Sequence, residues 1–505
     1  MPRGDRLASL TTNEMRLEPF HKSDFSSGQV NNVNPNLVPR GAVELGMNVI
    51  FDQEIGSAVS RLGTAIVGAQ LVDNMTILGL HQHIDTDTAA NNILFATLNA
   101  SGGATSKVMN VTAATNVVTG LTANTKMRFL TYLGETLAIN GVDAERAWNG
   151  SSWITTGGAF DLADLPGSNT CDLAIEFLDR VYTAGDSTHP SRLHYSGLSD
   201  GAAVAWAGDY IDIEKENNGG PITALAKVPG YLLIFKERSL NRFNGSSAFP
   251  ESLVQLGAPV QESVVMGGGL VAFYSASNEN AKGFYLTDGG RPIPISHDNT
   301  RPIKKWVDAI TSDTAVAGWA TDRGFAWSIG DVTVDGEAWT NVVLYFNRTL
   351  QQWSVRSYPT QFSVFASYLV SGINTTVGGD DDGTIYRVDK AATYSDNGTA
   401  IQWRVRDQWQ DFGFNQIKNI SDKLYVRGKN LESTRINVLK DEDTGDVISV
   451  GTSTLWKKLL TFLGVGTTID ATTISIEIVG ETTNAQAYLR EIEIPSIDVR
   501  ANYTV

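Results

Sequence analysis

Arg146-Ala147-Trp148-Asn149-Gly150-Ser151-Ser152-Trp153 is the stretch from which the fold can be read. An aromatic residue ends one apolar run, an Asn-Gly pair turns the chain, and a second aromatic opens the next run. Asn-Gly tolerates the positive φ that a tight hairpin turn demands. The scheme returns as Asn241-Arg242-Phe243-Asn244-Gly245-Ser246-Ser247-Ala248-Phe249, and again, with a longer turn, from Tyr345-Phe346-Asn347-Arg348 through Trp353. Ser196-Gly197, Asp288-Gly289 and Asp389 punctuate the chain in the same way. Counted from Asn149, the six marks lie about 47, 48, 44, 59 and 42 residues apart, within or near the period of a four-stranded propeller blade.

The runs between these turns have the length of strands. Tyr231-Leu232-Leu233-Ile234-Phe235, Leu270-Val271-Ala272-Phe273-Tyr274 and Val342-Val343-Leu344-Tyr345-Phe346 are short, β-branched or aromatic, and bounded by glycine or polar residues. Continuous apolar runs of this length fit strands covered on both faces. Upstream, β pattern begins at Asn48-Val49-Ile50-Phe51 and continues through Ala65-Ile66-Val67-Gly68 and Ile77-Leu78-Gly79-Leu80. Ile93–Leu98 and Val108–Val111, with a turn near Ala113-Ala114-Thr115, supply a further unit one repeat before Asn149. The expectation is an all-β chain whose residues 41–395 form a β-propeller of about seven blades, within a range of six to eight. Helical pattern is scarce; Arg301 to Ile310, with Ile303, Trp306, Val307 and Ile310 on one face, is the best candidate.

Two flanking regions read differently. Residues 1–40 contain Ser26-Ser27-Gly28 and Asn31-Asn32-Val33-Asn34-Pro35-Asn36 with little period, so they are expected to form an extended arm that leans on another surface. If that surface belongs to a neighbouring subunit or ring, deleting the arm should impair assembly and leave the propeller's melting temperature unchanged. After Asp389 the pattern alternates instead: Ile401-Gln402-Trp403-Arg404-Val405-Arg406, Lys423–Arg427, Arg435–Leu439 and Ile474–Ile478. Alternation of apolar and polar residues predicts half-exposed antiparallel strands, hence a C-terminal β-sandwich over 396–505.

Bulk composition narrows the function. The 505 residues carry a formal net charge of −16, the opposite of the basic surface that sequence-reading DNA binding needs. No run reaches the roughly 18 apolar residues of a membrane span, and Met1-Pro2-Arg3-Gly4-Asp5-Arg6 precedes no apolar signal core. The single cysteine, Cys171, rules out an intrachain disulfide and a multi-cysteine zinc site. Its setting in Cys171-Asp172-Leu173-Ala174-Ile175 reads as a buried strand start without a neighbouring base.

Other candidate chemistry meets a plainer account at each position. His81-Gln82-His83 sets two imidazoles on one side of a strand, where Asp85 or Asp87 could complete a metal site; an exposed strand end is the simpler reading. Asp380-Asp381-Asp382-Gly383 offers oxygens for calcium but lacks EF-hand spacing, and reads as a tight polar turn. Gly267-Gly268-Gly269 precedes a strand rather than a helix and no P-loop lysine follows. Arg3-Gly4-Asp5 and sequons such as Asn149-Gly150-Ser151 carry no weight without a secretory route. The aromatic tips Trp148, Trp153, Phe243, Phe249 and Trp353 could form a carbohydrate surface, but such residues more often fill the core between blades. No nucleophile elbow and no defined carboxylate pair emerge, so no catalytic, cofactor-binding or metal-ligating residue is nominated and the chain is expected not to be an enzyme.

The residues also carry a resemblance. Asn31 to Gly63, with Val38-Pro39-Arg40-Gly41-Ala42, Asn48-Val49 and Arg61-Leu62-Gly63, resembles the opening of many tailed-phage virion proteins. So do Leu344–Ser354, Asp381–Asp389 and Ser395-Asp396-Asn397-Gly398-Thr399-Ala400-Ile401. Over about residues 30–405 the chain is similar to the β-propeller tail hub or nozzle proteins of short-tailed phages. That resemblance implies a structural virion protein made in the host cytoplasm and placed in the tail. It further implies a homo-oligomeric ring, hexameric in related nozzles, around the DNA channel below an adaptor and portal. Such a ring helps retain DNA and then passes it during ejection, without sequence-specific contacts and without any cofactor. Surplus carboxylates on a lumen wall would repel phosphates and keep the passage slippery. Two rivals stand beside this expectation: a receptor- or glycan-binding propeller, and a propeller glycosidase.

Overall fold

The computed structural model describes residues 15–499 except 18–19, 32–38, 40, 52–53, 55, 72–74, 86–87, 89–91, 167–169, 215–218, 247–248, 298–302, 411–417, 421–422, 441–442, 450–456, 463–468, 472 and 495–496. Its contacts divide the chain into two compact units, Leu62–Thr399 and Met1–Arg61 with Ala400–Val505.

The first unit is a seven-bladed β-propeller among the described residues. Blades 1 to 6 occupy residues 77–122, 128–154, 173–212, 222–254, 264–294 and 317–357, each with four antiparallel strands in chain order. Blade 7 takes three strands, Phe362–Val370, Ile373–Asp380 and Ile385–Val388, from one end of the unit and the fourth, Ala65–Ile66, from the other. The six punctuation marks of the sequence all stand at the end of the third strand of a blade, in blades 2 to 7 in order, Asn347 as the last residue of its strand and the others just after theirs. The turn near Ala114 holds the same place in blade 1, where Ala114 itself has a φ of 52°. Gly150, Gly245 and Gly289 have positive φ, and the Asn149 and Asn244 carboxamides accept backbone N–H groups from the serines that follow. Thus the repeat is a repeat of one turn, set by residues that tolerate left-handed backbone.

First strands of neighbouring blades crowd toward the axis, and small residues mark the tightest places. A Cβ on Gly79 of blade 1 would lie 2.3 Å from the Met127 carbonyl oxygen beside blade 2; on Gly318 of blade 6 it would lie 2.4 Å from Val265 of blade 5. Farther out the gap between blades widens and aromatic rings fill it. Phe95 meets Trp148 between blades 1 and 2 at 5.4 Å between centroids and Phe235 meets Phe273 between 4 and 5 at 4.9 Å, while between blades 6 and 7 the first strands themselves carry the pair, Trp319 and Phe365 at 4.2 Å. Trp327 of blade 6 packs 4.5 Å from Phe284 and donates its indole N–H to the Ser263 carbonyl of blade 5. Buried rings of this kind remove large apolar areas from water. Trp327 satisfies its N–H locally, whereas the buried Trp148 indole N–H has no hydrogen-bond partner among the described residues. Trp148, Phe243 and Trp353 are buried, as expected for core aromatics; Trp153 is half-buried, and Phe249 is 75% exposed.

The ring closes on the strand at Ala65–Ile66. Ala65 and Ile66 pair with Arg387 and Tyr386, and the Val67 and Leu71 N–H groups donate to the Ile385 and Gly383 carbonyls. The Gly63 N–H bonds to Thr393, and a Cβ on Gly63 would sit 2.0 Å from the Ser395 carbonyl oxygen, so glycine is required there. The expected helix is a short α-helix, Lys304–Asp308, with Ile303, Trp306, Val307 and Ile310 buried; Arg301 lies outside the described residues.

The second unit is a β-sandwich. One sheet contains Ala58–Ser60, Tyr488–Ile494 and Lys423–Lys429; the other contains Leu45–Met47, Thr399–Arg406, Ile474–Thr482 and Glu432–Lys440. Trp403, Val405, Ile436, Ile476 and Ile478 from one sheet meet Val426, Leu489, Ile492 and Ile494 from the other in a single core. Alternation along 401–406 is the sequence trace of that core; along 474–478 the expected half-exposed strand is buried throughout, Ser475 and Glu477 included.

The boundaries differ from those the sequence suggested. Residues 41–61 belong to the sandwich rather than to the propeller, and the described part of the expected arm is built into the sandwich too. Phe25 and Val30 are buried, Phe20–Lys22 pairs with Tyr488–Ile494, and Lys22 donates to Ala42 and forms a buried 2.5 Å ion pair with Asp407. The segment does lean on another surface, as its composition requires, and here that surface lies in the same chain. Its strands are two or three residues long, too short to show a period. Arg3-Gly4-Asp5 lies outside the described residues.

Candidate functional site at the propeller axis

The first strands of blades 1, 2, 6 and 7 and the turn before blade 5 surround an axial cavity of about 220 Å³. Two glutamines stitch neighbouring first strands along this surface. Gln261 accepts the Leu225 N–H at 2.7 Å and donates to the Leu225 carbonyl at 3.1 Å, tying blade 5 to blade 4. Gln82 makes the equivalent pair with Leu369, tying blade 1 to blade 7. An innermost strand has one free edge, and a carboxamide carries the donor and the acceptor such an edge lacks.

A charged network occupies one side. Arg128, in the first strand of blade 2, donates Nε–H and Nη2–H to Glu262 at 3.1 and 3.3 Å and is also ion-paired with Asp172. Lys126 reaches Glu262 at 3.3 Å. Burial alone would push the Glu262 carboxyl up, but Arg128 and Lys126 outweigh it and hold the group down at about 2. For Asp172 burial wins over Arg128, and its carboxyl is raised. These carboxylates are committed to cations, the arrangement of a structural brace rather than of a proton-transfer pair.

The two imidazoles of blade 1 do lie on one side of their strand, and each bonds a threonine hydroxyl. His81 Nε2 is 2.6 Å from Thr131 Oγ1, His83 Nδ1 is 2.9 Å from Thr136 Oγ1, and the two hydroxyls bond to each other at 2.7 Å. Burial, reinforced by His83, pushes His81 down to about 4. Burial also lowers His83, against the opposing charge of Asp85. Neutral rings in a hydrogen-bonded wedge between blades 1 and 2 replace the exposed strand end that the sequence suggested. Asp87 lies outside the described residues.

Asp380, Asp381 and Asp382 bring carboxylate oxygens within 4.8 Å of one another, and in the sandwich a His21 ring nitrogen and carboxylate oxygens of Glu491 and Glu493 lie equally close. Asp380 Oδ1 already accepts the Asp382 and Thr384 N–H groups, which makes the first cluster a tight polar turn. His21 is paired with Glu491 at 3.0 Å. Gly268 and Gly269, with φ of 59° and 76°, form the turn between the first two strands of blade 5. Cys171 is buried, and burial pushes its thiol up to about 12, far from a reactive thiolate.

The axial network was not legible in the sequence, because its members come from different blades with no fixed spacing. The same holds for a second cavity, about 470 Å³, between blades 3 and 4.

No protein-family description matches the chain, and no curated protein matches it. Among solved structures it is similar to the computationally designed Ika8 protein, at 10% identity and a TM-score of 0.38, with 72% of this chain and 99% of the other covered. PorZ, a surface component of the type-IX secretion system of Porphyromonas gingivalis, gives 12% identity and 0.38 over 72% of this chain; the chain spans 44% of PorZ's length. The Neurospora crassa Pan2 WD40 domain gives 6% identity and 0.36, with 65% and 94% covered. The blade order described above stands independently of these similarities. Among the described residues no helix is long and apolar enough to cross a membrane.

Proposed function

We propose that this chain is a non-enzymatic structural protein of a tailed-phage virion, a hub or nozzle subunit whose ring surrounds the DNA path in the tail. Beyond the sequence resemblance, one structural observation supports the reading: both ends of the propeller run into the same sandwich. Phe25, Val43, Val49, Phe51 and Ala58, before the propeller, share one hydrophobic core with residues after 399 such as Trp403, Ile476 and Leu489. A propeller anchored at both ends cannot be drawn out of the chain without breaking that core, which suits a part that holds DNA under pressure. The axial carboxylates are used in ion pairs and the blade 1 histidines in hydrogen bonds to threonine, which favours a scaffold over turnover. A net charge of −16 fits a wall past which phosphates must slide.

The test is electron-microscopy class averages of the full-length chain, alone and with the portal adaptor of the same virion. Closed rings, six-fold by the resemblance, with an axial opening wide enough for a DNA duplex are expected. Single propellers at every concentration, with and without the adaptor, would overturn the proposal.

A further inference from the structure

A histidine and two glutamates meet on the outer face of the sandwich. His21 comes from the three-residue strand Phe20–Lys22, and Glu491 and Glu493 come from its antiparallel neighbour Tyr488–Ile494. His21 stands directly opposite Glu493 in the register, and Glu491 lies two residues along on the same face. His21 Nε2 is 3.0 Å from Glu491 Oε1, and one donor atom from each of the three residues lies within 4.8 Å of the others. His21 is exposed and both glutamates are half-buried, so the cluster is open to solvent on one side.

The backbone under each donor is anchored. Phe20 packs against the hydrophobic core and Lys22 is buried in its ion pair with Asp407, so alternation turns His21 outward. Ile492, between the two glutamates, and Ile494 beyond them are fully buried and fix Glu491 and Glu493 on the outer face in the same way. On the next strand Arg427 stands opposite Glu491 and Tyr425 opposite Glu493. Arg427 Nη1 is 3.7 Å from Glu491 Oε2, which leaves Oε1 turned to His21. Two carboxylates this close repel each other, and a divalent cation between them reverses the sign of that interaction.

We propose that these three residues bind a zinc ion that clips the N-terminal segment to the sandwich. One imidazole nitrogen with two carboxylate oxygens is a donor set that zinc accepts, whereas calcium takes six to eight oxygens. Neighbouring donors in a tetrahedral zinc site stand about 3.4 Å apart. Donor atoms already within 4.8 Å need only small side-chain rotations to reach that spacing, and a water molecule completes the coordination. Zinc takes the place of the hydrogen between His21 Nε2 and Glu491, and that proton leaves to solvent. Arg427 keeps Glu491 oriented, as groups behind a metal ligand do. The strand at Phe20–Lys22 has three residues, and Glu491 lies 470 residues from His21. A clip across so long a stretch of chain stabilises a strand too short to hold itself. This role goes beyond the structural one and does not depend on ring formation.

The experiment is calorimetric titration of the full-length chain, first stripped with a chelator, with zinc chloride, and hydrogen exchange on the same samples. Zinc at a hundred times its Kd should slow exchange at Phe20–Lys22 by up to about a hundredfold, and calcium chloride should not. His21→Ala and, separately, Glu493→Gln should weaken zinc binding at least about tenfold and abolish the slowing. With chelator present both variants should melt close to the wild-type temperature, because exposed pairs contribute little to stability. Asp381→Asn, in the polar turn of blade 7, should bind zinc as the wild type does. Absence of binding and of slowing at Phe20–Lys22, or slowing that survives both substitutions, would overturn the proposal. Ring formation, read separately by microscopy, is untouched by either result.

Discussion

Gln82 of blade 1 is bonded to both backbone polar groups of Leu369 in blade 7, accepting its N–H at 2.6 Å and donating to its carbonyl at 3.2 Å. Beside this pair, Ser363 Oγ donates to the Ile77 carbonyl at 2.7 Å. These contacts join first strands that lie almost 290 residues apart in the chain. Gln82→Leu preserves the approximate volume and removes both bonds, leaving two backbone groups without partners. The expected loss is about 1–3 kcal/mol of propeller stability. Hydrogen exchange should show it first at Phe362–Val370, and protection there equal to wild type would refute the assignment.

Asn48 and Arg61 explain two of the residue groups that carry the phage resemblance. Arg61 donates both Nε–H and its backbone N–H to Asn48, each at 2.9 Å, and Asn48 Nδ2 donates to the Gln402 carbonyl at 2.7 Å. Asn48 also sits at a φ of 56°, where asparagine is tolerated better than most residues. Asn48→Ala combines lost bonds with backbone strain and should cost about 2–3 kcal/mol. Denaturant titration of the sandwich transition measures it; Asn48→Gly, which relieves the strain but not the lost bonds, should fall between wild type and alanine.

Phe25 separates the two roles considered for the N-terminal segment. It is fully buried in the sandwich core. Phe25→Ala should cost about 3–5 kcal/mol, as emptied core sites do. The loss should appear as reduced protection at Ile474–Thr482 and Tyr488–Ile494. If the segment served only to strap a neighbour, protection in the isolated chain would not change.

Acid should weaken the propeller in two steps. His81 is held at about 4, below the ordinary histidine value near 6.5. Its folded value is the lower one, so its contribution is complete above pH ~6.5 and is lost as pH falls toward 4. Glu262, held at about 2, adds a contribution that is complete above its ordinary value of 4.5 and is lost as pH falls toward 2. Stability measured against pH should slope in both windows. His81→Gln should flatten the upper one by about one proton and leave the lower one unchanged.

Cys171 should resist thiol reagents in the folded protein. With its thiol pushed up to about 12 and no exposure, labelling has to wait for blade 3 to open. The labelling rate should be negligible at neutral pH and rise with denaturant in step with unfolding. Stoichiometric labelling of the native chain within seconds would contradict the buried position.

The sequence by itself determined the local half of this structure. Turn residues that accept positive φ recur once per blade because each blade needs the same third turn, and that need is written in the residues of the turn itself. Alternation in 401–406 foretold the sandwich for the same reason, since side chains on a strand alternate in facing a core. Only the tertiary structure decided what joins distant segments: the strand at Ala65–Ile66 that completes blade 7, the placement of residues 20–61 in the sandwich, the Arg128–Glu262–Asp172 network and the cavity between blades 3 and 4. Short strands and single side chains have no period. Their partners are set by the closing of the ring, which brings together residues hundreds of positions apart and leaves no spacing in the chain to announce it.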